Sequence, residues 1–206
     1  MRVRFDRFPS SLRVLAGWRT MPPEIRRVIC HFHLQLTDPL YRAFTGEFLP
    51  SRREALRPDI HRQTVIQWTS EHGPPRWAMK TQLQFASRLL SCAGAAGLVS
   101  GNRDPRQVAT PRVPDQALEY ILYTLRALRF EGSLISNPYL GSLGLVGGLL
   151  ADRLRALGTI EFRQVGDVHE LDWRYQDLET WAGAELPLTP PPRLAPPITG
   201  HAQVRA

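Results

Sequence analysis

The sequence predicts a mainly α-helical protein carrying small β-hairpins, and three observations predict it. In the first, Leu145, Leu149, Leu150, Leu154, Ala156 and Leu157 form an apolar stripe at helical spacing. Two alternating runs follow at once, Ile160–Val165 and Val168–Trp173, around Gly166-Asp167. In the second, residues 57–112 read as a helix, a sharp break, a longer helix and two short apolar runs about a polar turn. In the third, charge is divided unevenly: 18 Arg or Lys against 8 Asp or Glu in residues 1–112, then 8 against 11 in residues 113–206. Two helices and a hairpin, met twice, make the plan of tandem winged helix-turn-helix modules. The predicted fold is therefore mainly α with small β-hairpin wings, the two modules following an N-terminal helical region. Its expected divisions are 1–56 for that region, 57–112 and 113–183 for the modules, and 184–206 for a Pro-rich disordered tail.

In the N-terminal region, Ser10 or Ser11 caps a helix running to about Trp18, with Leu12, Leu15 and Ala16 inward. Pro22-Pro23 opens a second helix to about Leu36. Proline suits a first helical turn, and Glu24 suits the positive end of the dipole. Ile25, Val28, Ile29, Phe32 and Leu36 keep helical spacing. Asp38-Pro39 opens a third helix through Leu40, Tyr41 and Phe44, ending at Gly46.

The first module starts at Pro58-Asp59 with a helix carrying Ile60, Val65, Ile66 and Trp68, broken by His72-Gly73-Pro74-Pro75. A helix from about Pro75 to Ala93 buries Met79, Leu83, Ala86, Leu90 and Ala93, and Gly94 or Gly97 ends it. Leu98-Val99 and Gln107–Ala109 are the strands of a wing about residues 101–106. In such a module the second helix enters the major groove. Arg76, Lys80, Gln84 and Arg88 recur every four residues on its outer face, with Arg103 and Arg106 on the wing. Arg and Lys bond the guanine edge or a phosphate, and Gln bonds the adenine edge. These six are the candidate DNA-binding residues, and double-stranded DNA is the expected partner. The basic excess of the first half agrees with a polyanion there. Preferential use of Arg over Lys accounts for Lys80 being the one lysine, but not for the difference between halves.

The second module repeats the plan. Pro114-Asp115 starts a helix with Ala117, Leu118, Ile121, Leu122, Leu125 and Leu128 inward, and Glu131-Gly132-Ser133 breaks it. A short helix or loop spans Leu134–Leu143, and the helix and hairpin described above follow, with Gly158 at the C-cap. Gly166 first in a two-residue loop suits a type II′ turn. That turn pairs Ile160 with Trp173 and Phe162 with Leu171, and sets Arg163 opposite Glu170 on the other face. Tyr175–Trp181 is a closing helix. This module offers Arg153 and Arg155 beside Asp152, and its wing carries Glu161, Asp167 and Glu170. Acidic groups repel phosphate, so the module is read as a surface for a homodimer mate or another protein.

Cys30 and Cys92 are the two cysteines, far apart and in unlike contexts, and are expected to be reduced. The N-terminal arginines are followed by no apolar run of signal-peptide type, and no stretch reaches the ~20 apolar residues of a membrane span. A cytoplasmic protein without membrane contact is expected. Cys30-His31-x-His33 lies on one helix, where adjacent side chains diverge by about 100°, so no metal is predicted. Gly141, Gly144, Gly147 and Gly148 lack the Lys-Ser/Thr of a phosphate loop. Asp172, Asp177 and Glu179 have no pocket to work in. No catalytic residue and no cofactor are predicted.

The order of elements over residues 60–181 resembles the BrxA family, accessory proteins of bacterial BREX phage-exclusion systems. The resemblance is carried by Trp68-Thr-Ser, by Trp77-Ala-Met-Lys-Thr-Gln-Leu with Ala95-Ala-Gly-Leu-Val99, and by Gly158-Thr-Ile-Glu-Phe-Arg-Gln-Val-Gly-Asp-Val168. It implies a cytosolic, non-enzymatic DNA-binding protein of anti-phage defence, working beside other BREX subunits. A transcriptional repressor of the same fold and a protein scaffold without DNA binding are the alternatives.

Overall fold

The computed structural model describes residues 8–128, 133–166 and 168–186. Nearly all of the expected Pro-rich tail lies outside the described residues, as do Glu131, Gly132 and Asp167. The described chain is mainly helical, with two small antiparallel sheets. Helix α1 (Pro9–Leu15) and α2 (Pro23–Thr37) lead to α3 (Pro39–Ala43), which continues through a wide π turn (Phe44–Phe48) into α4 (Leu49–Arg53). Strand β1 (Asp59–Ile60), α5 (Arg62–His72), α6 (Met79–Ala96), β2 (Val99–Ser100) and β3 (Arg106–Val108) follow. The remainder is α7 (Asp115–Ala127), α8 (Pro138–Ser142), α9 (Gly147–Ala156), the hairpin β4 (Ile160–Val165) and β5 (Val168–Trp173), and α10 (Leu178–Glu185).

Several boundaries differ from the sequence reading for local reasons. Asp59–Ile60 is a strand paired to β3 rather than a first helical turn, and α5 starts at Arg62. In α1 the buried side chains are Ser11 and Val14, while Leu12 is exposed. The third helix does not stop at Gly46, because the π turn carries the chain past it. In α9, Leu150 and Leu154 are buried but Leu149 and Ala156 face outward, the helix being packed on one side only. Its C-cap residue Leu157 is extended, so Gly158 is not a left-handed cap, whereas Gly97 after α6 is one (φ +79).

The hairpin keeps the expected register, Ile160 opposite Trp173 and Phe162 opposite Leu171, with Gly166 at φ +60 as a primed turn requires. Arg163 does face Glu170 across the ladder, but its guanidinium turns to Glu161 on its own strand, at 2.9 Å. Glu161 also faces Asp172, and Arg163 offsets that like-charge pair.

Two hydrophobic cores result. One joins α1, α2 and α7–α10 with the β4–β5 hairpin; the other joins α3–α6 with β1–β3. The chain changes cores at Asp38, whose carboxylate caps α3 by accepting the Tyr41 N–H at 3.0 Å. Within the first core, Glu119 of α7 accepts bonds from Thr159 (2.6 Å) and Trp181 (3.0 Å), tying β4 and α10 to α7. Arg13 of α1 forms an ion pair with Glu179 of α10.

A buried polar seam joins the two cores. His31 of α2 lies between Tyr41 of α3 and Ser142 of α8, 2.9 Å from each hydroxyl. Ser142 donates to the Tyr139 carbonyl at 2.7 Å, so it accepts from His31 Nε2–H, and Tyr41 donates to Nδ1. Gln35 donates to Thr45 at 2.9 Å, and Arg53 of α4 donates to the carbonyls of Ala109 (3.2 Å) and Ser142 (3.1 Å). Two residues beyond His31, His33 contacts the Tyr120 hydroxyl at 2.6 Å. Burial favours the neutral imidazoles and lowers their pKa to about 3 for His31 and about 4 for His33.

The unfolded chain therefore binds protons that the folded chain refuses between pH 6.5 and these values, and stability must fall as pH falls through that window. From pH 6.5 to pH 5 the expected loss is about 2 kcal/mol for each histidine. Burial of Glu119 raises its pKa and opposes part of this loss. Urea midpoints measured across the window should show a smaller pH slope for His31→Gln and for His33→Gln than for the wild type. Equal slopes in all three would mean that these imidazoles are not held neutral.

Candidate nucleic-acid interface

Helix α5 buries Val65, Trp68 and Thr69, and His72 stacks on Trp68 with ring centroids 4.5 Å apart. The break after it demands glycine through close approach: a Cβ on Gly73 would lie 2.6 Å from the Thr69 carbonyl oxygen and 2.9 Å from the Trp77 ring. Trp77 packs in turn on Phe85 of α6, with centroids 4.4 Å apart. The second helix starts at Met79, four residues later than Pro75. Residues 74–77 form a separate turn, closed by the Trp77 N–H donating to the Pro74 carbonyl at 3.0 Å, and the extended Ala78 is the N-cap. Arg76 therefore lies in the exposed turn before α6 rather than on it.

Along α6 the buried side is Ala86, Leu89, Leu90, Ala93 and Ala96; Met79, expected inward, is 64% exposed. Lys80, Gln84 and Arg88 are exposed one turn apart on the opposite side. Arg62, the first residue of α5, reaches this row and donates to Ser87 at 3.0 Å. With Leu83 they line a shallow groove of about 410 Å³. Sequence reasoning missed Arg62: a helix started at Pro58 puts it in a second turn, and no periodic signal singles it out.

Beside the groove lies the three-stranded sheet, in the order β1-β3-β2. Its β2–β3 loop displays Arg103, which is exposed. Arg106 is placed differently. Its side chain is only 21% exposed, and it lies 3.5 Å from Asp104. The other Asp104 oxygen accepts the backbone N–H of Arg62 at 2.7 Å.

The two basic populations of the chain differ in their partners. Arg76, Lys80, Arg88 and Arg103 have no ion pair among the described residues. In the C-terminal part, Arg153 is held by Asp115 (2.6 Å) and the Val113 carbonyl (2.7 Å), and Arg155 by Asp152 (2.7 Å). Glu161, Glu170 and Asp172 are exposed on the hairpin. An anion approaching the α6 face meets uncompensated positive charge, and one approaching the hairpin does not.

Known proteins offer no guide here: no family model, no curated protein and no solved structure matches the chain. Among the described residues, no three His, Cys, Asp or Glu side chains are grouped to hold a metal ion, and no helix is long and apolar enough to cross a membrane.

Because the α5–α6 turn closes directly over Gly73, Gly73→Ala should cost about 1–3 kcal/mol of stability, from displacement of Trp77 or of the Thr69 carbonyl. Thermal unfolding checks this, and a wild-type midpoint would show that the turn has room.

Proposed function

We propose that this protein is a non-enzymatic DNA-binding protein that contacts duplex DNA through the exposed face of α6. The observation that carries the reading is the row Lys80, Gln84 and Arg88, joined by Arg62, whose cationic side chains have no ion pair among the described residues, with Arg103 on the adjacent loop. A short strand, two helices and two further strands, paired in the order β1-β3-β2, suit a winged helix-turn-helix, in which α6 takes the major groove and the loop lies along the backbone. Arg62, Arg76, Lys80, Arg88 and Arg103 contact phosphates in this reading. Gln84, central in the row, is the candidate reader of adenine.

The C-terminal part serves a protein partner, either a second copy or another subunit. Arg153, Arg155 and Arg163 are paired with carboxylates there, while Val146 (59% exposed) and Leu149 (55%) leave apolar surface beside a groove lined by Ile135, Leu154 and Phe162. The resemblance to the BrxA family supports a place among the accessory proteins of BREX-type phage exclusion, in the cytoplasm. A repressor of the same fold would bind one site far more tightly than other DNA, whereas an accessory subunit of this kind binds most duplexes alike.

Binding to a random-sequence duplex, followed by fluorescence anisotropy across salt, tests the reading. Five phosphate contacts predict a slope of log affinity against log salt of about −4 to −5. A flat dependence, or no binding at low salt, would sink the DNA reading in favour of a scaffold. The double variant Lys80→Ala/Arg88→Ala should lose about two units of slope. Arg153→Ala/Arg155→Ala should keep the wild-type slope, because those charges are already spent on Asp115 and Asp152.

A further inference from the structure

We infer that Asp104 is a positioning residue for this interface, fastening the β2–β3 loop to the first turn of α5 and so fixing Arg103 beside Lys80, Gln84 and Arg88. For its ligand the inference rests on the DNA-binding reading; for the fastening it rests on geometry alone.

The β2–β3 ladder is too short to hold its own loop. It has two residue pairs, Val99 with Val108 and Ser100 with Gln107, and β1 adds two more to β3. Ladders of this size are marginal without further anchoring. The loop leaves β2 through Gly101 at φ +90, in the left-handed region that favours glycine.

Asp104 holds the far side of the loop. One carboxylate oxygen accepts the Arg62 N–H at 2.7 Å, and the other lies 3.5 Å from the Arg106 guanidinium. The N-cap position of α5 is His61, which gives its helix no side-chain bond. Asp104 thus supplies, from 42 residues away in sequence, the acceptor and negative charge that a helix start favours. Arg62 extends the connection, because its side chain bonds Ser87 of α6, whose hydroxyl donates to the Leu83 carbonyl at 2.9 Å. The loop, α5 and α6 are linked through a continuous series of polar contacts.

A carboxylate within a basic face makes two opposite predictions. As charge alone it repels a polyanion, so its removal tightens binding. As a fastening it orders Arg103, so its removal loosens binding. Anisotropy of a random-sequence duplex across salt, with the full chain and its Asp104→Ala, Asp104→Asn, Arg103→Ala and Arg103→Ala/Asp104→Ala variants, separates them. Asp104→Ala should weaken binding about eightfold near 0.1 M salt and remove about one unit of slope, the equivalent of one phosphate contact. Asp104→Asn keeps the acceptor and should bind at least as tightly as wild type. The double variant should be no weaker than Arg103→Ala alone, since both changes remove the same contact. Asp104→Ala binding as tightly as wild type, or tighter, overturns the inference while leaving the DNA reading intact. If wild type itself shows no salt-dependent binding, the DNA reading fails, and amide exchange then decides the fastening. Faster exchange at Arg62 and at residues 101–104 in Asp104→Ala supports it, and unchanged exchange overturns it.

Discussion

His31 lies buried where α2, α3 and α8 meet, and the arrangement of the two cores depends on how it is satisfied there. Its imidazole is buried between two hydroxyls, with a donor on one side and an acceptor on the other. Only the neutral ring with its proton on Nε2 matches both. An apolar side chain of similar size would fill the volume but strand the Tyr41 hydroxyl, at a cost of about 1–3 kcal/mol, while Ser142 would keep only its bond to the Tyr139 carbonyl and a longer one to Gln35. Gln35, Thr45 and Arg53 continue the same contact between residues belonging to different cores. A polar junction of this kind fixes one relative placement, whereas apolar surfaces alone would permit several.

That placement has a consequence for α6. Leu34 of α2 packs against the second core, and α6 in turn buries Ala86, Leu89, Leu90 and Ala93. With its inner face committed to this packing, α6 has only its outer face left, and that face carries Lys80, Gln84 and Arg88. Elsewhere arginine is spent on the fold: Arg53 bonds two carbonyls across the core junction, and Arg153 ties α9 to the start of α7. The distinction between structural and surface arginines is therefore one of partners and not of sequence context.

The sequence made some of this legible. The β4–β5 register follows from alternation, because a single pairing puts Ile160, Phe162, Leu171 and Trp173 on one face. Gly97 and the Gly73-Pro-Pro break are equally plain, each being required by backbone geometry. The misses have physical reasons. A two-residue strand such as β1 is too short to show a period. Spacing puts Leu149 on the apolar stripe, but it lacks a neighbour to cover it; Arg106 is on the wing as expected, but partly buried with Asp104 within reach. The His31–Ser142 contact joins residues 111 apart, and nothing local marks either as buried. Arg62 was hidden for the same reason, since its place beside α6 is set by the turn and not by its own helix.

The charge asymmetry read from the sequence thus acquires a different physical meaning. Counting alone gives a basic first half, but several of those arginines are internal ties, including Arg52, whose guanidinium bonds the Asp59 carbonyl at 3.0 Å. What bears on a polyanion is the uncompensated remainder, which includes Arg76, Lys80, Arg88 and Arg103 on α6, the turn before it and the β2–β3 loop. In the C-terminal part the same side chain type is matched locally by Asp115, Asp152 and Glu161. Exposed pairs of this kind contribute little stability, yet they cancel the field that would attract phosphate. The row on α6 leaves its cations open, whereas Arg153, Arg155 and Arg163 are closed by neighbouring carboxylates. That difference, more than the net charge, is the physical basis of the proposal that DNA meets α6.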